Sequence, residues 1–249
     1  MNYWENKKLK AEKAKKHTKE MQEKYSNEIE LSIKNTFIFE NCDFILYKNN
    51  NLPKILLTQD DSVSAILKYH EGKTAVLNFA SYKNPGGMFL KGSSAQEESL
   101  CHESNLYNVL SAFDNSYYAE NRKFLNKGLY KNRALITPDI IFQRKDNPPI
   151  KCDVITCAAP NFSSANKYCN VSRDENNKAL KSRIEFIYSI VEYMGYNTII
   201  LGAFGCGVFK QDPYKTAEYF KIFNYSSANK IIYAILPGAN FDAFKKILI

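Results

Sequence analysis

The 249-residue sequence has no Cys-x-x-Cys pair. Its six cysteines (Cys42, Cys101, Cys152, Cys157, Cys169, Cys206) and three histidines (His17, His70, His102) are scattered. That spacing excludes the usual zinc ligand sets, so no metal and no cofactor are expected. It also offers no disulfide framework; free thiols in a reducing cytoplasm are the simpler account. No apolar run reaches the roughly 20 residues that cross a bilayer, and the N-terminus lacks the apolar core of a signal peptide. A cytoplasmic monomer with no membrane partner is expected. Internal repeats are absent, and so is low-complexity sequence beyond the first thirty residues.

What is present supports a folded core: 45% hydrophobic and 14% aromatic residues, enough for one large domain. The net charge of +8 favours an anionic partner without identifying it. Much of that charge opens the chain, in KKLKAEKAKKHTKEMQEK. Helix propensity is high there, but Leu9, Ala14, Met21 and Tyr25 make a thin apolar stripe. Residues 1–35 therefore read as a basic helical extension, either a solvated helix or an arm for nucleic acid, and 36–249 as the main domain.

Within that domain, Thr36–Phe39 and Phe44–Tyr47 read as short strands, a possible hairpin across Asn41. Asp60 or Asp61 can cap a helix to Tyr69. TAVLN (Thr74–Asn78) has the content of a buried strand. A helix is expected from Glu97 to about Phe113. Ala134–Ile136 and Ile140–Phe142 read as strands around a Thr-Pro-Asp turn. CDVITCA (Cys152–Ala158) reads as a strand buried on both faces, ending at Ala159-Pro160-Asn161. Leu180, Ile184, Ile187, Val191 and Met194 recur on one helical face, stopped by Gly195. Thr198–Leu201 is a strand, Asp212-Pro213 caps and opens a helix, and Ile231–Leu236 precedes a final helix. Strands alternating with helices argue for a three-layer α/β/α sandwich.

Two stretches in that frame carry chemistry. The first follows TAVLN: Asn84-Pro85-Gly86-Gly87, then Gln96-Glu97-Glu98 opening a helix. The second is Gly202-Ala203-Phe204-Gly205-Cys206-Gly207-Val208-Phe209, again between a strand and a helix. Glycines there let a ligand approach the backbone, and exposed N–H groups at helix starts favour an anion such as a pyrophosphate. Each feature also has a plain structural reading, as helix-start acids or as a tight strand-to-helix turn. Cys101 and His102 are sequence neighbours that diverge by about 100° on a helix, so they make a poor nucleophile–base pair.

The double glycine, the short spacer and Gln-Glu-Glu, with the flanks NFAS and AQEESL, resemble the signature of the microbial-type poly(ADP-ribose) glycohydrolases, built on a macrodomain. APN at 159–161 and GCGVF at 205–209 are similar to the same family; Met88 replaces its third glycine. The resemblance implies a macrodomain with a mixed central sheet and a hydrolase that releases ADP-ribose from its polymer or from ADP-ribosylated protein or nucleic acid. It further implies that Glu98 is the acid/base and that Glu97 holds the ribose hydroxyls. Asn78, Ser81, Asn84 and Gln96 are implied near the ribose, with Pro160 and Asn161 beside the ligand. Gly86, Gly87, Gly205, Cys206, Gly207 and Val208 are implied along the phosphates, and Phe209 packs on the ribose or adenine side. A reader module that binds ADP-ribose without cleaving it, and a nucleic-acid-binding protein, are the competing expectations.

Overall fold

Runs of β-branched and aliphatic residues form one sheet with helices on both faces, in a computed structural model that describes residues 2–40, 52–145, 147–224 and 228–249. Two helices open the chain, α1 (Tyr3–Lys24) and α2 (Ser26–Asn35). They are followed by β1 (Phe37–Glu40), β2 (Lys54–Thr58), α3 (Ser62–Tyr69) and β3 (Thr74–Phe79). Next come α4 (Gln96–His102), α5 (Leu106–Ser111), α6 (Ala119–Lys123), β4 (Arg133–Phe142) and β5 (Ile150–Cys157). The chain closes with α7 (Phe162–Cys169), α8 (Arg173–Met194), β6 (Thr198–Leu201), α9 (Pro213–Ile222), β7 (Lys230–Ala234) and α10 (Ala239–Leu248).

The seven strands lie in the order β1-β4-β5-β3-β6-β7-β2. From β5 to β2 all neighbours are parallel, while β1 and β4 add an antiparallel edge. The sheet is therefore mixed and the layers are α/β/α, as expected. Strand alternation divides the core in two. Ala75, Leu77, Ile155, Ile199 and Ile231 face the layer of α8, α9 and α10. Val76, Val154, Ile200 and Ile232 face the layer of α3, α4 and α5. The carboxyl ends of β5, β3, β6, β7 and β2 open on one edge, where ligand crevices form in open α/β sheets.

Three expectations need correction. The helix from Glu97 to Phe113 is broken into α4 and α5. Ser104 Oγ donates to Leu100 O and accepts from Leu106 N–H, while Ile141 N–H donates to Asn105 Oδ1 at 3.0 Å. The 103–105 link thus completes the edge of β4 beyond the part that β1 covers. Second, residues 133–142 are one strand with a bulge at Thr137–Ile140, because both halves pair with β5; Asp139 takes φ +56° there. Third, β2 was not anticipated from KILLT. The expected strand Phe44–Tyr47 and the hairpin across Asn41 lie outside the described residues.

The charged first helix does not float. Ala14 is fully buried, His17 Nε2 lies 2.9 Å from Ser104 O, and Asn108 Nδ2 donates to Thr18 O at 2.9 Å. At Gly92, which ends a short 3-10 turn at Phe89–Lys91, a Cβ would collide with the carbonyl oxygen of Lys7. Only glycine allows that approach, and it puts α1 directly behind the Gly86-Gly87 loop. Gly195→Ala, at φ +62° in open space, should cost about 1 kcal/mol. Gly92→Ala, at φ +77° and against Lys7, should cost about 3 kcal/mol or more. Urea denaturation of both variants checks the difference; equal costs would mean that α1 is not clamped there.

Candidate active site

β3 carries the site at its carboxyl end. Its alternation turns Asn78 to the same face as Val76, under the first turn of α4. There Asn78 Nδ2 donates to Glu97 Oε1 and to Thr156 Oγ1, both at 3.3 Å. One residue on, Phe79 N–H donates to Gln96 Oε1 at 2.8 Å, and Gln96 Nε2 donates to Leu77 O at 2.9 Å and Ser62 Oγ at 3.0 Å. Gln96 is thereby a bracket between α4, the end of β3 and the start of α3.

The two acids that follow it are both buried. Ser81 N–H donates to Glu97 Oε2 at 2.7 Å. Glu98 sits three residues past the cap of α4 and reaches back to it: Ala95 N–H donates to Oε2 at 2.8 Å, while Met88 N–H donates to Oε1 at 2.9 Å. Two backbone donors thus fix the Glu98 carboxyl against the glycine loop, leaving lone pairs on both oxygens for a ligand. Burial pushes the Glu97 carboxyl up to about 8, and the neighbouring Glu98 pushes the same way; the bonds from Ser81 and Asn78 only partly oppose them.

Gly86 and Gly87 both take positive φ, +62° and +61°. At Gly87 a Cβ would stand 2.6 Å from Glu98 Oε1 and 2.9 Å from Glu97 Oε2. Both carboxyl groups therefore converge on the space that this glycine leaves empty. At Gly86 a Cβ would meet the Tyr107 ring at 2.7 Å.

The second glycine stretch leaves β6 on the same edge. Gly205, at φ +76°, lies against Ala159, where a Cβ would come within 2.7 Å of the alanine methyl carbon. Gln211, which sequence reasoning left without a role, ties the two loops together. Its Nε2 donates to Pro160 O at 2.7 Å, and its backbone N–H donates to Gly205 O at 3.1 Å. Its signal was faint: a glutamine where the second glycine loop exits toward a capped helix.

Between these loops lies a cavity of about 850 Å³. Of the expected residues, Ser81, Gly87, Gln96, Glu97, Glu98, Gly205, Gly207, Val208 and Phe209 line it. Asn78 is fully buried beneath Glu97, and Gly86 packs behind the loop. Asn84 is exposed outside the cavity and accepts Gly87 N–H at its carbonyl. Pro160 and Asn161 form the flanking turn, where the Asn161 side chain caps α7. Cys206 turns its thiol toward Thr216 Oγ1 at 3.5 Å, away from the cavity, and burial pushes it up to about 12, so it is no nucleophile. The loop after β7 (Leu236, Pro237, Gly238) and the cap of α3 (Asp61, Ser62) also line the cavity and were not anticipated there. The Pro-Gly that follows the last strand was the available signal.

Phe209 stands edge-on to Tyr130, which stacks on Tyr82 at 4.1 Å, giving this wall an aromatic backing. The five described cysteines are free, and no cluster of metal-ligating side chains occurs among the described residues. None of the described helices is long and apolar enough to cross a membrane. Backbone N–H groups on the second glycine loop and a pair of buried carboxyl groups suit an anionic ligand whose bond is cleaved by proton transfer.

Comparison with known proteins agrees with that chemistry. The family model described as microbial-type PARG, catalytic domain, matches residues 6–145. The crystal structure of poly(ADP-ribose) glycohydrolase from Thermomonospora curvata is similar over 96% of this chain and 98% of that one, at 23% identity and TM-score 0.82. Its complex with the inhibitor ADP-HPD gives 25% and 0.83 over the same shares. The Deinococcus radiodurans enzyme with ADP-ribose gives 26% and 0.78, over 88% of this chain and 96% of that one. No curated protein sequence matches the chain.

The Glu97 carboxyl holds its proton in the folded state and loses it near its ordinary 4.5 when unfolded. That contribution to stability is complete below pH 4.5 and is lost as pH rises through about 8. Wild type should therefore lose up to about 1 kcal/mol per pH unit across that window relative to Glu97→Gln. Denaturant titrations at a series of pH values check this; parallel curves would mean that Glu97 is ionised throughout.

Proposed function

The chain belongs to the family of microbial-type poly(ADP-ribose) glycohydrolase (PARG) catalytic domains, and from that premise we propose that it hydrolyses O-glycosidic bonds of ADP-ribose in the polymer or in ADP-ribosylated macromolecules, with Glu98 as its single acid/base. The observation that carries this reading is the convergence of Glu97 and Glu98 on the empty side of Gly87, at the rim of a cavity walled by two glycine loops.

Cleavage at the ribose carbon passes through an oxocarbenium-like state. The leaving oxygen must gain a proton and the attacking water must lose one. Glu97 and Glu98 are adjacent on one helix and reach the same side of Gly87, so they cannot flank one bond from opposite sides. We assign both transfers to Glu98, whose oxygens are aimed by Met88 N–H and Ala95 N–H. It protonates the departing oxygen, then takes a proton from the incoming water. Glu97 holds the ribose hydroxyls, and the proton that burial retains on Glu97 at neutral pH, passed to the neighbouring Glu98 carboxyl, supplies the first step. The diphosphate lies along the N–H groups of Gly207, Val208 and Phe209, near the developing positive charge. Asn78 and Gln96 act one layer below, the first by holding Glu97 and the second by setting the pitch of α4.

The division that goes with this reading is a catalytic body at 36–249 and an extension at 1–35 that braces the loop from behind. We take the protein to act as a monomer in the cytoplasm, in keeping with its unpaired thiols. One observation favours a reader instead: Met88 is exposed and lines the cavity, so a long side chain narrows the loop beside Glu98.

Incubation with poly(ADP-ribose), a mono-ADP-ribosylated protein and ADP-ribosylated DNA separates these readings. Release of free ADP-ribose from at least one by wild type is expected, with Glu98→Gln at least 10³-fold slower but binding ADP-ribose within about fivefold of wild type. Turnover that survives in Glu98→Gln would remove the role assigned to Glu98; binding without release in wild type would make the protein a reader. Met88→Gly should raise the rate or broaden the range of leaving groups several-fold in the same assay. No change in either would show that this side chain does not gate the mouth.

A further inference from the structure

The described lining of the cavity contains three carboxyl residues, Asp61, Glu97 and Glu98, and no lysine or arginine. That is an odd wall for a ligand bearing a diphosphate, since backbone N–H groups would have to offset all of its charge. One cation is buried behind this wall. Arg183, in the middle of α8, is only 1% exposed. Its guanidinium donates to neutral acceptors: Nε to Asn132 Oδ1 at 2.7 Å, Nη1 to Ala158 O, Nη2 to Leu129 O at 3.4 Å, and the Cys157 thiol, which burial pushes up to about 11 and keeps neutral. Arg133 and Arg144, by contrast, are matched with Glu40 and with Asp61 and Glu103. Arg183 forms no ion pair among the described residues. A buried charge without a counter-charge is expensive, and hydrogen bonds to carbonyls recover only part of the cost.

Its position gives the reason. Ala158 O, which it holds, precedes Ala159, and Ala159 lines the cavity and packs against Gly205 of the second glycine loop. The guanidinium therefore sits one residue behind the phosphate wall, in a dry medium that transmits its field. We propose that Arg183 is the counter-charge of the bound diphosphate: a positioning residue that holds the ligand's anionic bridge through the Ala158–Ala159 backbone without touching it. This rests on the ADP-ribose reading above and assigns the site's charge recognition to a residue outside its lining. An anionic ligand supplies the counter-charge that no described side chain gives Arg183.

A structural clamp would serve charged and uncharged ligands alike, whereas a counter-charge serves only the charged one. Calorimetry with ADP-ribose and with adenosine, on wild type, Arg183→Gln and Arg183→Lys, tells them apart. Arg183→Gln should lose roughly tenfold in ADP-ribose affinity and keep adenosine within twofold, while Arg183→Lys keeps both ratios near wild type. Equal weakening toward both ligands, or no weakening, overturns the role of Arg183 while leaving the function intact. Wild type that binds neither ligand overturns the functional reading and this one together. Should Arg183→Gln not fold, Arg183→Lys decides: an ADP-ribose-to-adenosine ratio within twofold of wild type is expected, and a tenfold fall overturns the proposal.

Discussion

Two adjacent carboxyl groups are buried at the start of a seven-residue helix, and most of the local structure follows from making that tolerable. An unpaired buried carboxylate is strongly disfavoured, and two side by side are worse. The chain answers with backbone donors. Ser81, Met88 and Ala95 each aim an N–H at one carboxyl oxygen, and the Asn78 amide reaches the fourth from below. Those donors come from the end of β3, the glycine loop and the helix cap, so the three segments are fixed relative to one another by the acids they serve. Gly87 must lack a side chain because its Cβ position is where the carboxyl groups point. The same burial keeps a proton on Glu97 at neutral pH.

The loop that holds the acids is itself supported from outside. Phe89 of the 3-10 turn is buried and packs edge-on to His102, while Gly92 lies against the backbone of α1. The polar composition of α1 suggested a solvated helix, and its outer face is one. Its docking uses polar contacts at His17 and Thr18 together with two small residues, Ala14 and Gly92. They allow the close backbone approach that larger side chains would prevent, so a contact of this kind leaves almost no hydrophobic pattern to read.

That contrast explains which features were legible in the sequence. Local signals carried through: Asp61 caps α3, Asp212-Pro213 opens α9, Gly195 ends α8, and Thr198–Leu201 is β6. The acids and the glycines were legible because chemistry restricts the residue types at those positions. What escaped depends on partners distant in sequence. Leu106 and Leu110 keep the period of the helix begun at Gln96, but β4 needs an edge partner and Asn105 supplies it, so the helix breaks. Residues 133–142 read as two strands because Pro138 and Asp139 look like a turn, yet β5 is long enough to pair with both sides of the bulge. Among site residues, Gln96 lines the cavity and Asn78 lies beneath Glu97, and the hydrogen bonds that hold both run to the protein. A side chain's partner is fixed by the fold, and residue type alone does not reveal it.

The electrostatics of the cavity follow the same logic at longer range. Acids that do chemistry must stand in the lining, where they touch the substrate. A cation placed beside them would form an ion pair and draw the buried proton off Glu97. Separating the positive charge from the carboxyl groups by a layer of backbone avoids that neutralisation. The anionic half of a ligand can still be attracted there, because the field of a buried charge falls slowly in a dry interior while the contact that would quench the acids is never made. On this view a lining with acids and no cations keeps proton donor and anion recognition apart in one cavity, with Gly205 and Ala159 as the spacer between them.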